Sequence, residues 1–124
     1  MKSRLYIYQR SLKGTEQGPF LSEPGFHVWT TCVRSLLVTD QEAATGQSYE
    51  NVFSASEAVA QLTEIVSGLM SPMVGETEVH GQYKDWLANV KNEISLDLYT
   101  DLMGIHFLAR KVRAGFLRNL GCQS

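Results

Sequence analysis

Cys32 stands two residues before Arg34 in a β-branched run, and that pair is the first place where this sequence offers chemistry. The thiolate is the nucleophilic form of cysteine, and a nearby cation raises its share at neutral pH. Arg34 can serve as that cation, or it can hold a substrate carboxylate in a bidentate fork. The bland alternative is a buried strand cysteine acting as a small hydrophobe. The only other cysteine, Cys122, makes neither a disulfide framework nor a zinc spacing with it.

A second group of polar side chains surrounds a Gly/Pro-containing turn in Ser67-Gly-Leu-Met-Ser-Pro-Met-Val-Gly-Glu-Thr-Glu-Val-His-Gly-Gln-Tyr-Lys84. Ser67 and Ser71 suit helix caps, Glu76 suits a helix N-terminus, and Lys84 suits a solvated helix face. His80 follows Glu76 by one turn, a spacing for a charge-assisted pair or half of a metal site. No second histidine falls in register, so no metal is expected. Arg110, Lys111, Arg113 and Arg118 gather near the end of the chain, where they favour either a helix C-terminus or contacts with RNA phosphates.

These residues must be positioned by a small set of elements. Residues 4–10 read as a strand, and 26–39 as one long extended strand or two halves separated by a bulge. Unbroken alternation puts Cys32 and Arg34 on one face. Residues 49–54 form a third short strand. Between the strands, 11–25 and 40–48 are loops, the first dense in glycine and proline and expected to be mobile. Ser54-x-x-Glu57 has the form of a capping box. A helix from there carries Val59, Leu62, Ile65, Val66 and Leu69 on one face. A second carries Val79, Tyr83, Trp86, Leu87 and Val90, and a third starts near Ser95 with Leu98, Leu102, Ile105, Ala109, Val112 and Phe116.

The chain has 124 residues, 44% of them apolar and 19% charged, with a net charge of -2, the profile of one globular domain spanning 1–124. That charge gives no global attraction for nucleic acid, so any RNA contact must be local. No apolar run reaches membrane-spanning length and no signal-peptide core follows Met1, so the expected location is cytoplasmic.

Three stretches carry a resemblance to a known family. The run from Ser67 to Lys84 is similar to Ser-Gly-Leu-x-Ser-x-x-x-Gly-Glu-x-(Gln/Glu)-(Ile/Val)-x-Gly-Gln-x-Lys of glutamyl-tRNA reductases, which open the five-carbon route to tetrapyrroles. Thr30-Thr-Cys-Val-Arg34 resembles the family's Ser-Thr-Cys-Asn-Arg, and Phe107-Leu-Ala-Arg-Lys-Val-Arg113 its Ala-Lys-Arg-Val-Arg. All three occur in the family's order.

The resemblance implies an α+β fold: a ferredoxin-like β-α-β-β-α-β plan reduced to a small antiparallel sheet, packed against a C-terminal three-helix segment. The helices that fill the family's strand-to-strand connections are expected to be missing. Such a sheet is expected to expose an apolar face or open edges that a second copy or a partner covers. The corner from Ser67 to Lys84 is expected to face Cys32.

The resemblance also implies that Cys32 is the catalytic nucleophile, forming a thioester with the glutamyl group, and that Thr31, Arg34, Gln61, Ser67, Ser71, Glu76 and Gln82 bind substrate. Three positions depart from the family. Gln61 stands where the family has a histidine, so proton transfer there is lost; Met70 and Val33 replace an acidic residue and an asparagine. No Gly-rich strand-to-helix fingerprint occurs, so the chain is expected to bind no cofactor itself, while the full family enzyme uses NADPH. The expectation is a stand-alone relic of the catalytic domain. Either it needs a partner for hydride delivery, or it is a non-catalytic module binding glutamyl-tRNA or a tetrapyrrole-pathway protein.

Overall fold

The computed structural model describes residues 4–12, 14, 16–42, 44–68 and 78–119, with side chains through 115 and without that of residue 78. Four strands, β1 (Tyr6–Ser11), β2 (His27–Thr30), β3 (Arg34–Thr39) and β4 (Asn51–Ser54), precede three helices, α1 (Ala55–Val66), α2 (Glu78–Val90) and α3 (Leu96–Asn119). The fold is α+β. The chain divides into two compact units, residues 1–59 and 60–124.

In the first unit the strands form one antiparallel sheet in the order β2-β3-β1-β4. β3 lies between β1 and β2, which run parallel to each other. This is the split arrangement of a ferredoxin-like sheet. Its two crossovers contain no helix among the described residues.

The run 26–39 is not one strand. It folds back on itself, pairing His27 with Val38 and Thr30 with Ser35, so alternation through Cys32 does not hold. The connecting turn has no glycine and neither Cys32 nor Val33 has positive φ. The Thr31 hydroxyl takes the place of a turn-specific residue, accepting from the amides of Val33 and Arg34 at 3.4 and 3.3 Å. The Thr31 amide donates to the Arg34 carbonyl at 2.8 Å, and the Leu12 amide to that of Val33 at 2.9 Å, anchoring the turn beside the end of β1. A threonine side chain closing a turn on its own backbone is a known alternative to ladder pairing.

Paired residues share a face. Tyr8, Leu37 and Val28 lie on one side with Arg10, Ser35 and Thr30; Ile7, Leu36, Val38 and Trp29 lie on the other, all four buried. The expected open apolar face is not found on the first side, because the two connections cover it. Phe20 and Phe26 pack on Tyr8 and Leu37, and Tyr49 stands edge-on to Tyr8 with ring centroids 4.8 Å apart.

Backbone polar groups under a loop need partners. Phe20 donates its amide to Ser35 Oγ at 3.0 Å, and Thr39 Oγ1 donates to the Gly25 carbonyl at 2.8 Å. Buried Arg10 donates to the carbonyls of Gly18 and Ser48 and lies 4.3 Å from the centre of the Phe20 ring. Gln47 donates to the Leu21 carbonyl and to Glu23, which also accepts from Thr45 Oγ1 at 2.6 Å. These bonds hold Glu23 below its ordinary carboxyl value, Thr45 contributing most. Residues 17–25 of the segment expected to be mobile are packed and bonded.

Ala55 opens α1 at φ 53°, a left-handed value, with its amide donating to the Leu5 carbonyl at 2.9 Å. A β-carbon costs about 1–2 kcal/mol in that conformation, and glycine's extra chain entropy offsets about 0.5–1 kcal/mol of the relief. Ala55→Gly is therefore expected to stabilise the protein by about 0.5 kcal/mol in urea unfolding. A destabilisation of that size would contradict the strain.

In the second unit, the Ser95 Oγ accepts from the Leu98 amide at 3.1 Å and starts α3 as the spacing expects. Leu98, Leu102, Ile105 and Ala109 are buried and Val112 is 38% exposed, while the side chain of Phe116 lies outside those described. α2 packs on α3, with Tyr83 and Leu87 of α2 buried and the Tyr83 hydroxyl bonded to Leu102.

Candidate functional site

Cys32 occupies the tip of the β2–β3 turn, a free and exposed thiol. The buried strand cysteine is thereby excluded, and the reason is the hairpin: a residue at a two-stranded corner has no sheet above or below it. Its neighbours are fixed more firmly. Thr31 is buried and spends its hydroxyl on the turn. Arg34 begins β3 opposite Ser11, half-buried, and burial lowers its pKa from the ordinary guanidinium value. A hydrogen-bonded turn with an exposed sulfur between a threonine that shapes the backbone and an arginine rooted in the sheet can present a nucleophile to a bulky acyl ester.

The second unit holds Gln61, Ser67 and Gln82. Gln61 is half-buried on α1 and Gln82 is exposed on α2. Ser67 is 0% exposed. Its hydroxyl donates to the Glu64 carbonyl at 2.7 Å, and its own carbonyl accepts from Arg113 Nη1 at 3.2 Å. Gly68 follows at φ 86°, the left-handed residue that ends α1. Ser67 thus closes a helix, as its capping role requires. Ser71 and Glu76 lie outside the described residues, as do Met70 and the turn between them.

One pairing had no counterpart in the sequence reading. The rings of His80 on α2 and His106 on α3 stand 4.5 Å apart, and both Nδ1 atoms are buried with no hydrogen-bond partner among the described residues. His106 is 9% exposed and also contacts the Phe107 ring. Burial lowers both histidines below the ordinary value of 6.5. His106, Arg110, Arg113 and Lys84 depress His80 further, and Arg110 and Lys84 depress His106.

Lys84 sits one turn beyond His80, and Arg110 and Arg113 one and two turns beyond His106, so each helix repeats an imidazole-then-cation order. That i, i+4 order was visible on each helix. The pairing was not, because it depends on the relative register of α2 and α3. Among the described residues there is no group of three or more His, Cys, Asp and Glu able to hold a metal.

A dinucleotide bound in the Rossmann manner needs a Gly-rich turn between a parallel strand and a helix. The one described strand-to-helix junction runs Asn51-Val-Phe-Ser54 into Ala55, without glycine and from an antiparallel sheet. That junction does not fit such a turn. No described helix is long and apolar enough to cross a membrane.

Comparison with curated proteins and with solved structures gives no match for this chain. A family model, described as the N-terminal domain of glutamyl-tRNA(Glu) reductase, matches residues 4–113. The matched span takes in the Cys32 turn, the Ser67 helix end and the paired histidines together. The chain belongs to the family of glutamyl-tRNA reductase N-terminal domains.

Proposed function

We propose that this chain attacks the glutamyl ester of glutamyl-tRNA through Cys32 and carries the glutamyl group as a thioester. The observation that supports this most is the exposed thiol at a hydrogen-bonded turn, in the family's Thr-Cys-x-Arg position, with Arg34 two residues away. The thiolate forms a bond to the ester carbonyl carbon, the bond from that carbon to the ribose oxygen breaks, and the tRNA leaves with its hydroxyl reprotonated from water. Arg34 is the group for the substrate side-chain carboxylate, since a guanidinium matches a carboxylate bidentately. Without a hydride donor the thioester is open to water, which releases glutamate and restores the thiol.

The second reading is a non-catalytic module that binds glutamyl-tRNA or a tetrapyrrole-pathway protein. Two observations favour it: the full burial of Ser67 at a helix end, and Gln61 in place of a histidine able to move a proton.

Trapping separates the two. The protein is incubated with glutamyl-tRNA carrying radiolabelled glutamate, quenched in acid, and examined for label that stays on protein and is discharged by hydroxylamine. Label on wild type and none on Cys32→Ser supports the thioester. Binding of the tRNA without label selects the module.

A further inference from the structure

We propose that the α2–α3 face formed by His80, Lys84, His106, Arg110 and Arg113 is a binding site for a phosphate-class oxyanion, and that the two imidazoles take up protons as the anion binds. The site lies within the second unit and does not depend on the Cys32 reaction.

The argument starts from charge. The groups acting on the two rings are Lys84 from α2 and Arg110 and Arg113 from α3, with each ring beside the other. From the end of α1 the contact is a carbonyl, that of Ser67, which accepts from Arg113. No described carboxylate acts on either imidazole. Lys84 and Arg110 act on both bases and Arg113 on His80 as well, so positive charge gathers around the rings and an anion relieves it. Lys84 and Arg110 are exposed, so the ligand reaches them from solvent.

Hydrogen bonding gives the second, independent step. Buried imidazole nitrogens ordinarily have a partner, and each exception calls for an explanation such as an absent water or ion. Here two occur side by side in rings 4.5 Å apart. A half-turn about χ2 exchanges Nδ1 with Cδ2, so each ring can turn a nitrogen from the buried side toward a ligand oxygen and donate to it once protonated. A tetrahedral oxyanion with several acceptors answers two imidazoliums and two or three cations at once, whereas chloride answers one.

A metal ion is a poor fit in the same place. Three cations repel it and no carboxylate or thiolate among the described residues completes its shell. The phosphoryl group can come from a free small phosphate or from an RNA backbone, and the chemistry is shared.

Proton uptake sets the pH dependence. The anion raises imidazole values that burial and the cations hold down, so for an anion of fixed charge binding tightens as pH falls from 7.5 to 6. The test follows imidazole resonances of the full chain by NMR across that range, in inorganic phosphate and in chloride of matched ionic strength.

Phosphate is expected to move the titration midpoints of His80 and His106 upward by about one pH unit and chloride to leave them in place. Arg110→Gln, at an exposed position, is expected to weaken phosphate binding about tenfold while α2–α3 packing persists. Equal effects of phosphate and chloride, or no movement in either, overturn the site. A short RNA hairpin gives the source: displacement of phosphate by RNA assigns the group to a nucleic-acid backbone, and its failure to displace assigns it to a free phosphate.

Discussion

Cys32→Ser is expected to lower glutamate release from glutamyl-tRNA by at least ~10²-fold, to the rate of the ester in buffer. A serine hydroxyl is isosteric with the thiol but far less ionised at neutral pH, so the substitution removes the nucleophile and little else. The turn does not depend on it. Cys32 is exposed, and the hydrogen bonds that hold the turn come from Thr31, Val33, Arg34 and Leu12. Loss of activity in this variant therefore reports chemistry and not folding, which circular dichroism and the urea midpoint confirm if unchanged.

The wild-type rate itself should be slow. Gln61 cannot exchange a proton near neutral pH, and general acid–base assistance is typically worth ~10²–10⁴-fold. Addition of NADPH to the 124-residue chain is expected to change neither the rate nor the product, with no glutamate-1-semialdehyde, because the described residues form no cradle for it. Equal release by wild type and Cys32→Ser would remove the nucleophile and leave the binding module. Semialdehyde from the chain alone would mean that the nicotinamide is held by residues other than a Gly-rich turn.

What the sequence made legible follows the range of each signal. β1 and β4 announce themselves by β-branched and aromatic residues, and Ser95 marks the start of α3 because a cap acts on amides three residues away. The hairpin at Thr31 was hidden for a definable reason. Its turn uses neither glycine nor asparagine, and the residue that closes it, a threonine, is itself a strong strand former. The covering of the sheet by Phe20 and Phe26 was hidden too, since a Gly/Pro-rich stretch shows where helices stop but not what its aromatics pack against. At the candidate site the family motif gave the position of Cys32, and only the fold gave its exposure. The imidazole pair required both helices to be in register, which no local pattern encodes.

Tyr83→Ala is expected to destabilise the second unit by about 3–5 kcal/mol, the range for removing a fully buried aromatic ring. Tyr83 is 0% exposed, lies tilted against the Trp86 ring with centroids 5.7 Å apart, and donates its hydroxyl to the Leu102 carbonyl at 2.7 Å, joining α2 to α3. Tyr83→Phe keeps the ring and loses the hydrogen bond, so it should cost only about 1 kcal/mol, because the carbonyl it leaves belongs to a helix interior where a backbone amide remains.

The two variants also differ in alkali. Burial raises the Tyr83 phenol well above its ordinary value of 10.0, so the native state keeps its proton after the unfolded chain has lost it. Wild-type stability is then intact below pH 10 and falls as pH rises above it, whereas Tyr83→Phe lacks this contribution to the alkaline loss. Thermal unfolding from pH 8 to 11 measures both. Because His80 lies one turn before Tyr83 and His106 one turn after Leu102, the ring that joins the helices also sets the distance between the imidazoles. The phosphate-dependent movement of the two histidines should survive Tyr83→Phe and vanish in Tyr83→Ala. If it persisted in Tyr83→Ala with the helices separated, the anion would be bound by one helix alone and the paired site would be wrong.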